Sequence, residues 1–273
     1  ERPGAGVHCL ADVDDVGLLV APDLYDPAPL ARPQDVLDPV SLAGAQFQVC
    51  LAPEPPLPAT PQPPGLSGLR LDPLVPAELD RIVAAQRALV TFAEQRREFS
   101  VLLDVPLGLP PSRILQWRTA FDSAFAAAYH PWLDVATPDD DREELVRLNP
   151  AAFAAGIIAD REQRLGISRG PANQVAVGAV RVATAVPPAV HDPLHLAGVN
   201  VFLAERDGIR LSAARTLSLD PQVRQLSVAR LLTVLRLTLE RELAWVAFEP
   251  NGPELWGRIR RAVTGLLTRF FVG

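Results

Sequence analysis

The chain has 273 residues, 48% hydrophobic and 21% charged, enough to bury a sizeable core in one or two globular domains. Its net charge of -6 and pI near 5.3 speak against sequence-independent binding to nucleic acid, which needs a strongly basic face. No stretch approaches the roughly 18 consecutive apolar residues of a membrane span, and the N-terminus lacks the basic-then-apolar pattern of a secretion signal.

Cys9 and Cys50 sit in neither a CxxC nor a zinc-ligand spacing, so two reduced thiols are expected rather than a disulfide framework. All 26 basic residues are arginine. There is no methionine, and residue 1 is therefore expected to follow a further or removed segment.

In chain order, the apolar run "VDDVGLLVAP" predicts a buried strand over residues 13–21, stopped by Pro22. "APEPPLPATPQPPG" then packs seven prolines into fourteen residues, a composition that favours extended, unpaired backbone in an exposed insertion or linker. Apolar spacing at Leu79, Ile82, Val83, Leu89, Val90 and Ala93 predicts an amphipathic helix over 76–97, opened by proline and closed by arginines. A buried strand at 99–106, a helix over 110–128 and a strand at 129–135 complete a βαβ unit. The acidic "PDDDREE" is expected to be a solvated loop running into a helix start.

Small-residue periodicity predicts helices over 153–164 and 172–183, separated by the turn-rich "GISRGPAN". Alternation around Asp207-Gly208 predicts a β-hairpin across 197–217, because that dipeptide tolerates positive φ. A long apolar helix over 222–243, a buried strand in "LAWVAFEP" and a closing helix over 253–271 finish the chain. The alternation implies an α/β fold: a doubly wound sheet with helices on both faces. Four segments result: 1–52 with the first strand, 53–75 as insertion or linker, 76–183 as α/β core, and 184–273 as a hairpin-containing C-terminal subdomain.

Catalytic candidates are few. The chain has no GxSxG, GxGxxG or GxxxxGK[ST] motif, and without lysine it can form no Schiff base. His191 and His195 have helical ligand spacing, but Pro193 lies between them and His8 and His130 are remote, so they read as loop histidines and no metal or cofactor is expected. The pairs Asp14-Asp15 and Asp139 to Asp141 read as surface turns. Glu249 follows an apolar run at a position where α/β folds place sites, with a salt bridge or helix cap as its plainer role. On the closing helix Ile259, Ala262, Val263, Leu266 and Phe270 share one face, while Arg258, Arg261 and Arg269 line up opposite, around Gly265. That basic stripe is either a solvated face or an electrostatic docking strip for an acidic protein surface.

Four ordered stretches carry a resemblance: "FDSAFAAAYHPWLDV" (121–135), "AAGIIADREQRLGISRGPANQ" (154–174), "GVNVFL" with "GIRLSAARTLS" (198–218), and "WVAFEPNGPELWGRIRRAVTGLLTRFF" (245–271). The chain from about residue 79 onward resembles the contractile tail sheath family of phage tails and extracellular injection systems. The resemblance implies a subunit that stacks in hexameric rings around an inner tube, contracts and drives the tube outward, with neighbouring sheath subunits, the tube, and baseplate or cap proteins as partners. It implies a central domain called subtilisin-like for its fold, although no Ser-His-Asp set supports hydrolysis here. It implies that the closing helix faces the tube, so that Arg258, Arg261 and Arg269 are tube-contact candidates. It also implies assembly in the producing cell as part of a phage tail-like particle. The family's terminal arms fall outside this chain; either they are missing from it, or this is a shortened component from one end of a tail. The rival readings are a cap or baseplate adaptor that binds the tube without contracting, and an α/β hydrolase-like enzyme using Glu249 or an acidic pair.

Overall fold

The computed structural model describes residues 6–27, 69–136 and 145–272. The proline-rich run, Cys50 and the acidic run ahead of residue 145 lie outside the described residues, and with them the expected linker, second thiol and solvated loop. A 3-10 helix (Gly6–Asp12) leads into β1 (Leu18–Val20), β2 (Asp26–Pro27), β3 (Arg70–Leu71), α1 (Pro76–Arg96), β4 (Ser100–Asp104) and α2 (Pro111–Arg118). Next come β5 (Ala126–His130), β6 (Leu133–Ala136), β7 (Leu145–Leu148), α3 (Pro150–Leu165), β8 (Ala179–Val182) and α4 (Pro188–Leu196). The hairpin β9 (Val199–Glu205) and β10 (Gly208–Leu211), then α5 (Leu226–Glu242), a 3-10 turn (Ala244–Phe248) and α6 (Pro253–Val272) close the chain.

Proline, rather than a side-chain cap, starts most of these helices. α1, α2, α3, α4 and α6 all open on one. Its ring pre-sets φ for the first turn, and its missing N–H would have had no intrahelical partner there.

The main sheet has the order β1-β4-β5-β9-β10, parallel except for the hairpin strand β10. Both its faces are buried. Val101, Leu103, Ala126, Ala128, Val199 and Val201 pack against α1, α2 and α4, while Leu102, Ala127, Tyr129 and Phe202 pack against α3 and the start of α5. Double burial explains why the central strands read as continuous apolar runs rather than alternating ones. Helices cover both faces as expected. The strand order among the described residues runs in one direction, however, without the reversal that defines a doubly wound sheet.

A second sheet, β7-β6-β8, is antiparallel throughout. Its middle strand places Asp134 opposite Arg147 on one side and Arg181 on the other. The buried carboxylate accepts hydrogen bonds from both arginines, at 2.8 Å from each.

Several expected elements change. The helix over 110–128 stops at Arg118, and its alanine run becomes β5; helix propensity yields because alanines in a central strand let helices approach from both sides. The strand at 129–135 divides at Pro131 between the two sheets. Residues 174–176 run along β10 rather than forming a helix, satisfying its outer edge through Leu211 N–H to Gln174 O and Ala176 N–H to Ile209 O, with Asn173 in a left-handed turn ahead of them. The "LAWVAFEP" strand is an exposed 3-10 corner with Phe248 92% accessible, because α5 has carried the chain past the sheet and left nothing to pair with. The element following the acidic run is strand β7 rather than a helix, and the first strand spans only Leu18–Val20.

Asp104 ends β4 and takes the place of a helix cap for α3. Its carboxylate accepts the Ala151 N–H at 2.7 Å and the Asn149 Nδ2–H at 3.1 Å. Burial pushes its pKa up to about 6 against these two bonds. Asp134 goes the other way: burial would raise its pKa, but the hydrogen bonds from Arg147 and Arg181 hold it below the ordinary value.

The two carboxylates predict opposite pH responses. The contribution of Asp104 is complete below its unfolded pKa of about 3.9 and is lost as pH rises through about 6. Urea unfolding is therefore expected to show wild type gaining on Asp104→Asn as pH falls from 7 to 5. The contribution of Asp134 is present above about pH 4 and lost below it, so Asp134→Asn costs about 2 kcal/mol at pH 7 and less under acid.

Candidate functional site: the α5–α6 hairpin

α5 is buried against the body at its first turns only. Leu226, Ala229 and Arg230 are buried, and no later residue of the helix is. The Arg230 guanidinium bridges Glu162 on α3 and donates to Gly17 O at 2.8 Å, just ahead of β1. Farther along, Arg236 donates to Arg97 O at 2.7 Å, and Arg241 reaches Asp15 at 3.5 Å. The helix thus crosses the sheet face and leaves it at the β1 edge.

The chain reverses through the 3-10 turn, and α6 returns along α5. Among its described side chains Leu255 and Leu266 are buried. Between the two helices lies a crevice of about 370 Å³, with Leu239, Glu242 and Leu243 on one wall and Ala262, Val263 and Leu266 on the other.

The three candidate arginines divide by role. Arg258 turns inward: its guanidinium lies 4.3 Å from the Trp245 ring centroid and 3.0 Å from the Glu249 carboxylate. Arg261 and Arg269 are exposed on the rim of the crevice. Gly265 lies between them with open space where a side chain would stand. The charged stripe is therefore Arg261 and Arg269, with Arg258 fastening the corner behind it.

Other sequence candidates do not converge. Glu249 follows a 3-10 turn instead of a strand, and its partner is Arg258. His191 and His195 lie on α4 rather than in a loop, with ring centroids 5.5 Å apart. His195 Nε2 accepts from Arg215 at 2.7 Å, and burial, then Arg215 and His191, hold its pKa below the ordinary value. Among the described residues, no group of three or more His, Cys, Asp or Glu side chains is placed to hold a metal ion, and no helix is long and apolar enough to cross a membrane. The carboxylate that burial perturbs most visibly is Asp104, which sequence reasoning passed over inside an apolar strand. It is only 7% exposed and already bonded to the α3 turn, so it has the character of a structural acid.

No family model and no curated protein matches the chain. Solved structures do. A chain in the six-fold symmetrised cryo-EM structure of the anti-feeding prophage baseplate is 26% identical with a TM-score of 0.57, over 75% of this chain and 54% of that one. A chain in the contracted helical sheath of the same prophage is 26% identical with a TM-score of 0.58, over 72% and 52%. A sheath tail protein from Desulfitobacterium hafniense shares the fold at 15% identity and a TM-score of 0.51, over 68% and 42%. The chain spans about half the length of the structures it matches. The resemblance to the contractile tail sheath family read from the sequence is borne out by these matches.

The corner gives a direct test. Arg258→Ala removes a cation-π contact and an ion pair together and is expected to cost about 1 kcal/mol in urea unfolding. Arg261→Ala and Arg269→Ala, on the rim, are expected to stay within about 0.5 kcal/mol of wild type.

Proposed function

We propose that this chain is a structural subunit of a contractile tail sheath, which polymerises in stacked rings around an inner tube and contracts to drive the tube through a target envelope. The observation that carries the reading is the 26% identical match across about three-quarters of the chain to chains of an assembled contractile particle. The subtilisin-like label belongs to this reading as a statement about fold, and the protein acts by assembly rather than by turnover of a substrate. Its setting is a phage tail-like particle.

In this reading α6 faces the tube, and Arg261 and Arg269 meet acidic groups on it while Arg258 keeps the corner in place. Exposed ion pairs are worth about 0 to 1 kcal/mol each, which suits a contact that many copies must release together. A second reading, a cap or baseplate adaptor that binds the tube without contracting, draws on the baseplate match.

Co-expression with the tube protein and negative-stain electron microscopy separates the readings. Long tube-filled sheaths are expected from wild type, and empty or already contracted ones from the Arg258→Glu, Arg261→Glu, Arg269→Glu triple variant. Rings confined to tube ends would favour the adaptor, and monomers with no tube binding would overturn both.

A further inference from the structure

α6 carries a second exposed face. At about 100° per residue, Trp256, Arg260 and Leu267 fall together on the side away from Arg258, Arg261 and Arg269. Trp256 is 57% exposed and Leu267 47%. Among the described residues Arg260 makes no ion pair, and it stands exposed between these two apolar side chains.

Across the molecule lies an apolar groove of about 620 Å³, between α3 and the loop residues 175–177. Ala152, Gly156 and Ile157 form its floor, and a side chain at Gly156 would meet nothing within 4 Å. Val177, on the opposite wall, is 86% exposed. Among the described residues that line the groove the one acid is Asp160, and its partner Arg164, one turn along, lines it too; their side chains are 57% and 64% exposed, so that pair is open to exchange.

We propose that the Trp256, Arg260 and Leu267 face of α6 seats in the α3 groove of a second copy of this chain, with Arg260 meeting Asp160. The inference rests on the sheath reading and deepens it by naming where one copy meets the next. Charge and spacing choose the occupant. Arg260 follows Trp256 by four residues, as Asp160 follows Gly156, so with the helices parallel the indole covers the open glycine while the two charges meet. The unpaired cation and the groove's acid are complementary, and the apolar side chains of the two surfaces bury one another. Position agrees: α5 and α6 leave the body at the β1 edge, whereas the groove's wall at residues 175–176 runs along β10 at the other edge. A contact between unlike patches on opposite edges is heterologous. It propagates from copy to copy, closing a ring or running on as a helix according to the rotation it imposes.

The test is sedimentation velocity on the chain alone across a concentration series, with Arg260→Asp, Asp160→Arg and the double swap. Wild type is expected to self-associate, each single variant to weaken association at least tenfold, and the swap to restore it. An equimolar mixture of Trp256→Glu and Ile157→Arg chains is expected to stop at a one-to-one dimer, because each pair retains one intact contact. Unchanged association in the single variants, no recovery in the swap, growth of the mixture beyond dimers, or a monomeric wild type would each overturn the inference. Circular dichroism melts confirm that every variant is folded. Tube-filled sheaths built normally by Arg260→Asp would sink this contact and leave the sheath reading standing; no sheaths from wild type would sink the reading itself.

Discussion

The projection of the α5–α6 hairpin depends first on one buried guanidinium. Arg230 is 8% exposed, and its cost of burial is offset by a forked pair with Glu162 and a bond to Gly17 O. It joins α5 to α3 and to the start of β1, the edge strand of the main sheet. Without it α5 would keep only Leu226 and Ala229 as buried anchors in its first turns. A buried arginine with three hydrogen bonds holds one direction, whereas apolar contact alone would allow the helix to roll. The orientation of the α6 faces starts from that point and is carried on by Arg236 at Arg97 O and by the Arg258, Trp245 and Glu249 corner.

A comparable device holds the other end of the main sheet. Arg118 is buried and donates to Ala197 O at 2.6 Å and Leu217 O at 2.7 Å, tying α2 to the end of α4 and to the chain after the hairpin. Asn200 adds a third such tie, bonding Ala128 O at 3.1 Å and both backbone groups of Arg215. The body is thereby fastened where sheet and helices meet, while large apolar side chains stand exposed on the hairpin (Phe248, Trp256 and Leu267), beside the α3 groove (Val177), and at Leu196 and Leu219. That distribution suits a subunit whose work is done through neighbours.

Much of this was legible in the sequence where one physical signal dominated. α1 and α6 follow from apolar periodicity and their proline starts, α3 from its small-residue periodicity, α5 from its long apolar run, and the β9–β10 hairpin from its Asp-Gly turn. The misreadings share a cause: tertiary context overrode local preference. The alanines of β5 are good helix formers, yet they are strand because the sheet needs small residues between two helical layers. Residues 174–176 run along β10 because its edge needed partners. The strand expected after α5 failed for the opposite reason, since past the sheet edge there was nothing left to pair with. At the candidate site the arginine stripe was visible in the spacing of α6. Its division into one inward and two outward arginines was not, because that depends on Trp245 and Glu249 closing the corner. The α3 groove was likewise hidden, since it is formed by segments that only the fold brings together.

The central claim is that this fold repeats around a tube with α6 facing inward. The most direct measurement is a cryo-EM map of a contractile particle purified from cells that make this protein, at a resolution that traces helices. The account predicts this fold repeated helically along the trunk, with Arg261 and Arg269 on the inner wall against the tube. A map in which α6 lies on the outer surface, or in which this fold is absent from both trunk and baseplate, would contradict it.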